Sequence, residues 1–192
     1  MRSPNCFIAK PKDGDRYSNK KDVEGVELIT SASKEDHLST QRIAVVLNTP
    51  VNYSGPVSIG DEIIVHHNTF RLYNDMKGKE RSSWSFMFGD NYLIDPLEAY
   101  AYRSAGGDWN AIAPFCFVEP IQNDNSASTV HTASEEAYLF GIMVYPNSDQ
   151  SDIKSGTKIG FMPDSEYEFN IEGRKLYRMK TNMICLKSEQ KY

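Results

Sequence analysis

Apolar and β-branched residues along this chain come in short runs rather than at helical spacing. In the first half they are CFIA (6–9), RIAVVL (42–47), EIIVHH (62–67), NYLI (91–94) and AYAYR (99–103). In the second they are FCFVEPI (115–121), FGIMVY (140–145), KIGF (158–161), YEFNI (167–171), KLYRMK (175–180) and MICLK (183–187). Clusters of Gly, Pro, Asn and Asp separate them. Many short strand-like runs with turn signals between them predict an all-β protein, a barrel or a sandwich. The best helical candidate, SEEAYLFGIMV at 134–144, turns into a β-rich run after Tyr138. Glu172 and Gly173 lie between two such runs and predict a hairpin.

The runs recur in one order. CFIAKP at 6–11 and FCFVEP at 115–120 each set apolar residues before a charge and a proline. Each is followed by a stretch expected to be a long polar loop, 12–39 and 122–136. An apolar strand comes next, IAVVLNTP (43–50) or GIMVYPN (141–147). VSIGDEIIV (57–65) or IKSGTKIGF (153–161) follows, each with a strand after a glycine turn. YLIDPLEAYAYR (92–103) and YRMKTNMICLK (177–187) then close the halves, each expected as a hairpin with a final strand. Pro11 and Pro120 are 109 positions apart, Gly60 and Gly156 96, and Tyr92 and Tyr177 85. The first copy therefore holds the longer connections. The Gly-rich stretch 104–114 is the expected boundary, giving domains at 1–104 and 112–192.

Composition narrows the function. The chain has 192 residues and a formal net charge of -5, which argues against a nucleic-acid partner because such binding neutralises phosphates. No run reaches the ~20 apolar residues of a membrane helix, and the first residues lack the apolar run of a signal peptide, so a cytoplasmic protein is expected. Cys6, Cys116 and Cys185 are widely spaced among apolar neighbours. They make no disulfide framework or metal pair and are expected as buried reduced thiols.

No catalytic constellation stands out. His66 and His67 are adjacent in a run expected to be a strand, where neighbours face opposite sides; no spacing typical of zinc is present. No GxSxG motif occurs, and Ser82 and Ser83 have no evident base. No Gly-rich nucleotide motif is found. The sequence thus predicts a non-enzyme without metal or cofactor. The run MKGKERSSWSFMFGDNY at 76–92 mixes Lys77, Lys79 and Arg81 with Trp84, Phe86 and Phe88. Such a mixture can bind single strands; the preferred reading is a long hairpin whose aromatics pack on a neighbour.

VSIGDEIIV, YLIDPLEAYAYR and the loop motif GVELITSAS at 25–33 together resemble the GroES-like co-chaperonin family, twice over. The overall look is that of the divergent tandem members encoded by tailed phages. The resemblance implies two tandem, partly open GroES-like β-barrels. It implies a lid that binds a large chaperonin ring, assists protein folding and forms a homo-oligomer. In the family's loop a glycine precedes a short apolar triplet, so Gly25 stands at the glycine and Val26, Glu27 and Leu28 at the triplet, with Ile29 extending the apolar edge. Glu27 departs from the family, and 122–136 has only Val130 as an aliphatic residue. The alternatives are that GVELI is an ordinary strand on its own barrel, and that the chain is a phage virion or assembly protein on the same fold without chaperonin binding.

Overall fold

The computed structural model describes residues 2–17, 20–23, 26–29, 39–122 and 136–191. Among the described residues the chain is all-β, broken only by single 3-10 turns. It divides into two compact units, Met1–Asp108 and Trp109–Tyr192. No helix among the described residues is long and apolar enough to cross a membrane.

The first unit holds β1 (Phe7–Pro11), β2 (Lys20–Val23), β3 (Val26–Ile29), β4 (Ile43–Asn48), β5 (Glu62–Val65), β6 (Leu72–Asn74), β7 (Glu80–Ser82), β8 (Phe86–Phe88), β9 (Asn91–Ile94) and β10 (Ala99–Arg103). Its main sheet runs β10-β5-β4-β1-β9-β8, while β2-β3 and β6-β7 are separate two-stranded sheets. The second unit holds β11 (Asn110–Ala111), β12 (Phe115–Gln122), β13 (Glu136–Tyr145), β14 (Thr157–Phe161), β15 (Tyr167–Ile171), β16 (Arg174–Lys180) and β17 (Ile184–Lys191). Its sheet runs β17-β14-β13-β12-β16-β15. The two orders are the same element for element. Among the described residues, β8 does not pair with β10, nor β15 with β17, so neither order closes on itself.

The agreement extends to register. Ile8, Ala9, Lys10 and Pro11 face Asn48, Val46, Val45 and Ala44, with a bulge between Ile8 and Ala9. Phe117, Val118, Glu119 and Pro120 face Tyr145, Met143, Ile142 and Gly141, with a bulge between Phe117 and Val118. On the other side of the opening strand, Ala9 faces Tyr92 and Val118 faces Tyr177. The closing strands match too: Ala99, Ala101 and Tyr102 on Val65, Ile64 and Ile63, and Ile184, Leu186 and Lys187 on Phe161, Gly160 and Ile159. Gly60 and Gly156 both take positive φ, 92° and 83°, a conformation open to glycine at little cost. Their N–H groups donate to the carbonyls of Val46 and Met143, each at 2.8 Å.

The cores occupy the same places with different side chains. Cys116, Val118, Met143, Ile153, Ile159, Phe161 and Met179 form the buried cluster of the second unit. Phe7, Ala9, Val46, Val57, Ile63, Val65 and Ile94, all buried, hold those positions in the first. Where Cys116 replaces the bulk of Phe7, Val118, Met143 and Phe161 exceed Ala9, Val46 and Val65. The loss of bulk at one position is thus accompanied by gains at its neighbours, as close packing demands.

Several expectations are corrected here. The runs 92–103 and 177–187 are not hairpins. A 3-10 turn, Pro96–Glu98 or Thr181–Met183, carries the chain from β9 to β10 and from β16 to β17. These strands lie on opposite sides of the sheet, β9 on β1 and β10 on β5. In the first, the Asp95 carboxylate accepts the Leu97 N–H at 2.8 Å, a local cap that competes with a tight strand reversal. Of the thiols, Cys116 is buried, Cys6 is intermediate and Cys185 is exposed. Cys185 belongs to the outermost strand β17, where apolar neighbours in sequence do not bring cover; Leu186 is exposed as well.

Candidate binding site

The connection from β1 to β4 is tied down at its base. Tyr17 and Thr40 form an antiparallel bridge, and the Arg16 carbonyl accepts the Gln41 N–H at 2.9 Å. The Arg16 guanidinium lies over the rings of Phe86 and Tyr92, 5.2 and 5.6 Å from their centroids, and donates to Ser82 Oγ at 3.1 Å. The Tyr17 hydroxyl accepts the Leu72 N–H at 2.9 Å. Two buried or half-buried anchors thus hold the place where the connection leaves and returns.

Beyond that stem, β2 and β3 pair antiparallel, with Lys20, Lys21, Asp22 and Val23 facing Ile29, Leu28, Glu27 and Val26. Four of the five candidate contact residues, Val26, Glu27, Leu28 and Ile29, are therefore β3. Gly25 lies outside the described residues. The stretch 12–39 is not loop throughout, since a 3-10 turn at Lys12–Gly14 and this strand pair lie within it. Among the described residues, β3 pairs with β2 alone and joins no other strand. The corresponding connection of the second unit falls at 122–136, of which 123–135 lie outside the described residues.

A second site is built by residues 66–85, which the second unit lacks: β5 leads into β6 and β7 before β8, whereas β14 leads straight to β15. β5 stops at Val65 because the chain turns, the Thr69 N–H donating to the His66 carbonyl at 3.0 Å. His66 and His67 are thus past the strand, and their rings come together at 4.0 Å instead of facing opposite sides. His66 Nδ1 accepts the Asn68 N–H at 3.2 Å. Phe70 is fully buried and meets the Tyr92 ring edge-on at 4.7 Å, which roots the insertion in the core.

The β6–β7 hairpin is organised by Asp75. Its carboxylate accepts the N–H groups of Lys77 and Lys79, both at 2.9 Å, and pairs with Arg81 Nε at 3.1 Å. The Lys79 N–H above all holds the Asp75 carboxyl below the usual range, with Lys77 and Arg81 adding to it. The run 76–92 is consequently two hairpins, β6–β7 and β8–β9, rather than one.

Between the turn after β5 and the end of this hairpin lies a pocket of about 430 Å³, lined by His66, Asn68, Thr69, Arg71, Tyr73, Ser83, Trp84, Ser85 and Glu98. Within its lining, Ser83 Oγ donates to the Thr69 carbonyl at 2.5 Å. Trp84 is fully exposed. Burial first, and then the nearby Asp95 charge, raise the Glu98 carboxyl. Sequence reasoning missed this pocket, although the basic and aromatic residues around Trp84 were its visible trace.

Among the described residues, no group of three or more His, Cys, Asp or Glu is placed to hold a metal ion. No protein-family model matches the chain, and no curated protein matches it.

Proposed function

We propose that this chain is a co-chaperonin-like lid: two GroES-like, partly open β-barrels in tandem, of the kind tailed phages encode. Its first barrel caps a large chaperonin ring through the segment around Val26, Leu28 and Ile29 and assists protein folding in the cytoplasm. ATP hydrolysis belongs to the ring. The observation that carries this reading is that, among the described residues, β3 pairs with β2 alone, on a stem closed at Tyr17 and Thr40. This is the connection between the first two strands of the repeat, where the family has its partner-binding loop. A strand built into its own main sheet could not be offered to a partner.

Burying a Val, Leu or Ile stabilises a complex by about 1.5–3 kcal/mol each, offset by ordering the segment. One arm therefore binds weakly, and an assembly of several chains multiplies the effect through effective concentration. Leu28→Asp is expected to abolish nucleotide-dependent co-purification with the chaperonin ring; unchanged co-purification would sink the reading. A second reading, a virion or assembly protein on the same fold, is favoured by Glu27 within the apolar edge and by the sparse aliphatics of 122–136. Mass spectrometry of purified particles separates the two, because a lid is absent from the finished particle.

A further inference from the structure

The pocket of the first unit holds two buried polar atoms without partners among the described residues. Arg71 Nε is buried and has no hydrogen-bond partner among the described residues. Arg71 as a whole is half-buried. Its guanidinium stays charged at any ordinary pH, and a donor of a charged group left buried without an acceptor is costly. The Thr69 hydroxyl is in the same condition: Thr69 is 2% exposed, and its Oγ1 is buried without a partner. Its carbonyl already accepts from Ser83, so the hydroxyl is what remains to offer. Both groups line one pocket. An oxyanion satisfies both at once, because the guanidinium fork and a hydroxyl donor match carboxylate or phosphate oxygens.

The rest of the lining calls for a flat ring. Trp84 is 100% exposed and Tyr73 41%, a large aromatic area to leave in water. Both line the same pocket, and exposed aromatic faces are stacking platforms. Asn68, His66 and Glu98 add polar groups around the rim. The volume of about 430 Å³ lies in the range of small-molecule sites.

We propose that this pocket binds an organic anion bearing a flat ring, of the size class of a nucleoside monophosphate, with the anion on Arg71 and Thr69 and the ring against Trp84 and Tyr73. A neutral sugar would satisfy the hydroxyl and the rings but give Arg71 Nε no charged acceptor. The site belongs to the insertion and has no counterpart in the second unit. It is independent of the arm that carries the lid reading.

The test uses the intact chain and the emission of its two tryptophans. Trp84 is exposed and Trp109 buried, so the solvent-exposed component reports on the pocket. Adenosine 5'-monophosphate is expected to change that component saturably. Inorganic phosphate is expected to compete with it, and adenosine to bind at least about tenfold more weakly, as loss of a charged hydrogen bond implies. Arg71→Gln should weaken adenosine monophosphate by about tenfold or more. Trp84→Ala, which removes a ring fully in solvent, should weaken it by calorimetry while the thermal melt stays unchanged. A flat titration, equal affinity for adenosine, or undiminished binding in the Arg71 variant overturns the proposal. If Arg71→Gln does not fold, Arg71→Lys decides, since it keeps the charge but loses the fork; unchanged affinity there overturns it as well.

Discussion

Ala44 and Gly141 occupy the same place in the two units, opposite Pro11 and Pro120. In the first unit the position holds a buried methyl group. In the second a Cβ would stand 2.3 Å from Val118 Cγ1 and 2.8 Å from the Glu119 carbonyl oxygen. The difference follows from the core beneath it. Val118 is larger than its counterpart Ala9, and the space it takes is the space the glycine gives up. Across the two units the register of the opening, third and closing strands, the bulge in the opening strand and the glycine at Gly60 and Gly156 are held fixed, while side-chain volume moves from one position to its neighbour. What is free to differ is the connections, and there the first unit has gained the pocket-bearing hairpin between β5 and β8.

The widest contrast is chemical. Burial pushes the Cys116 thiol up to about 12, which leaves only about one part in ten thousand as thiolate at pH 8, whereas Cys185 in the outermost strand is exposed. A maleimide titration of the native chain is expected to label Cys185 rapidly and Cys116 only after unfolding. Equal labelling would show that the second core opens readily.

Next in size is the core exchange. Phe7→Ala is expected to destabilise the first unit by about 3–5 kcal/mol in denaturant melts. Cys116→Ala, at the same place in the second, should cost only about 1 kcal/mol, because a single sulfur atom leaves a small cavity. Similar losses would mean that the volumes are not traded as described. Smaller again, Gly141→Ala is expected to cost about 1–3 kcal/mol through overpacking, against about 0.5–1 kcal/mol for Ala44→Gly through backbone freedom. The reverse order would break the comparison.

The smallest effect is confined to the insertion. Asp75 has a folded-state pKa below its usual 3.8. Its contribution is therefore complete above that value and is lost as the pH falls through the lower folded value. Amide exchange of Lys77 and Lys79 should stay protected at pH 4 and quicken on further acidification. Asp75→Asn should remove that pH dependence.

The residues that were legible in the sequence are those whose pattern is local. NYLI at 91–94 is β9, and Glu172–Gly173 turns β15 into β16. The spacings 109, 96 and 85 are the offsets at which opening, third and closing strands pair in the two units. What could not be read depends on bonds between distant residues. EIIVHH overran β5 because nothing in its composition reveals the Thr69 hydrogen bond that turns the chain at His66. KKDV at 20–23 is too polar to announce itself as a strand and is one through pairing with 26–29. The pocket needed Thr69, Ser83 and Glu98 brought together from three separate stretches, so only the cluster around Trp84 left a sign.

The stem at Tyr17 and Thr40 has a practical side. A segment that leaves and re-enters the fold at neighbouring points, with its ends clamped by Arg16 and Gln41, can change length without altering what it hangs from. Each doubling of such a closed segment costs only about 0.6 kcal/mol. The chain therefore carries a ready-made port, where a foreign peptide between residues 18 and 39 can be displayed on an undisturbed scaffold.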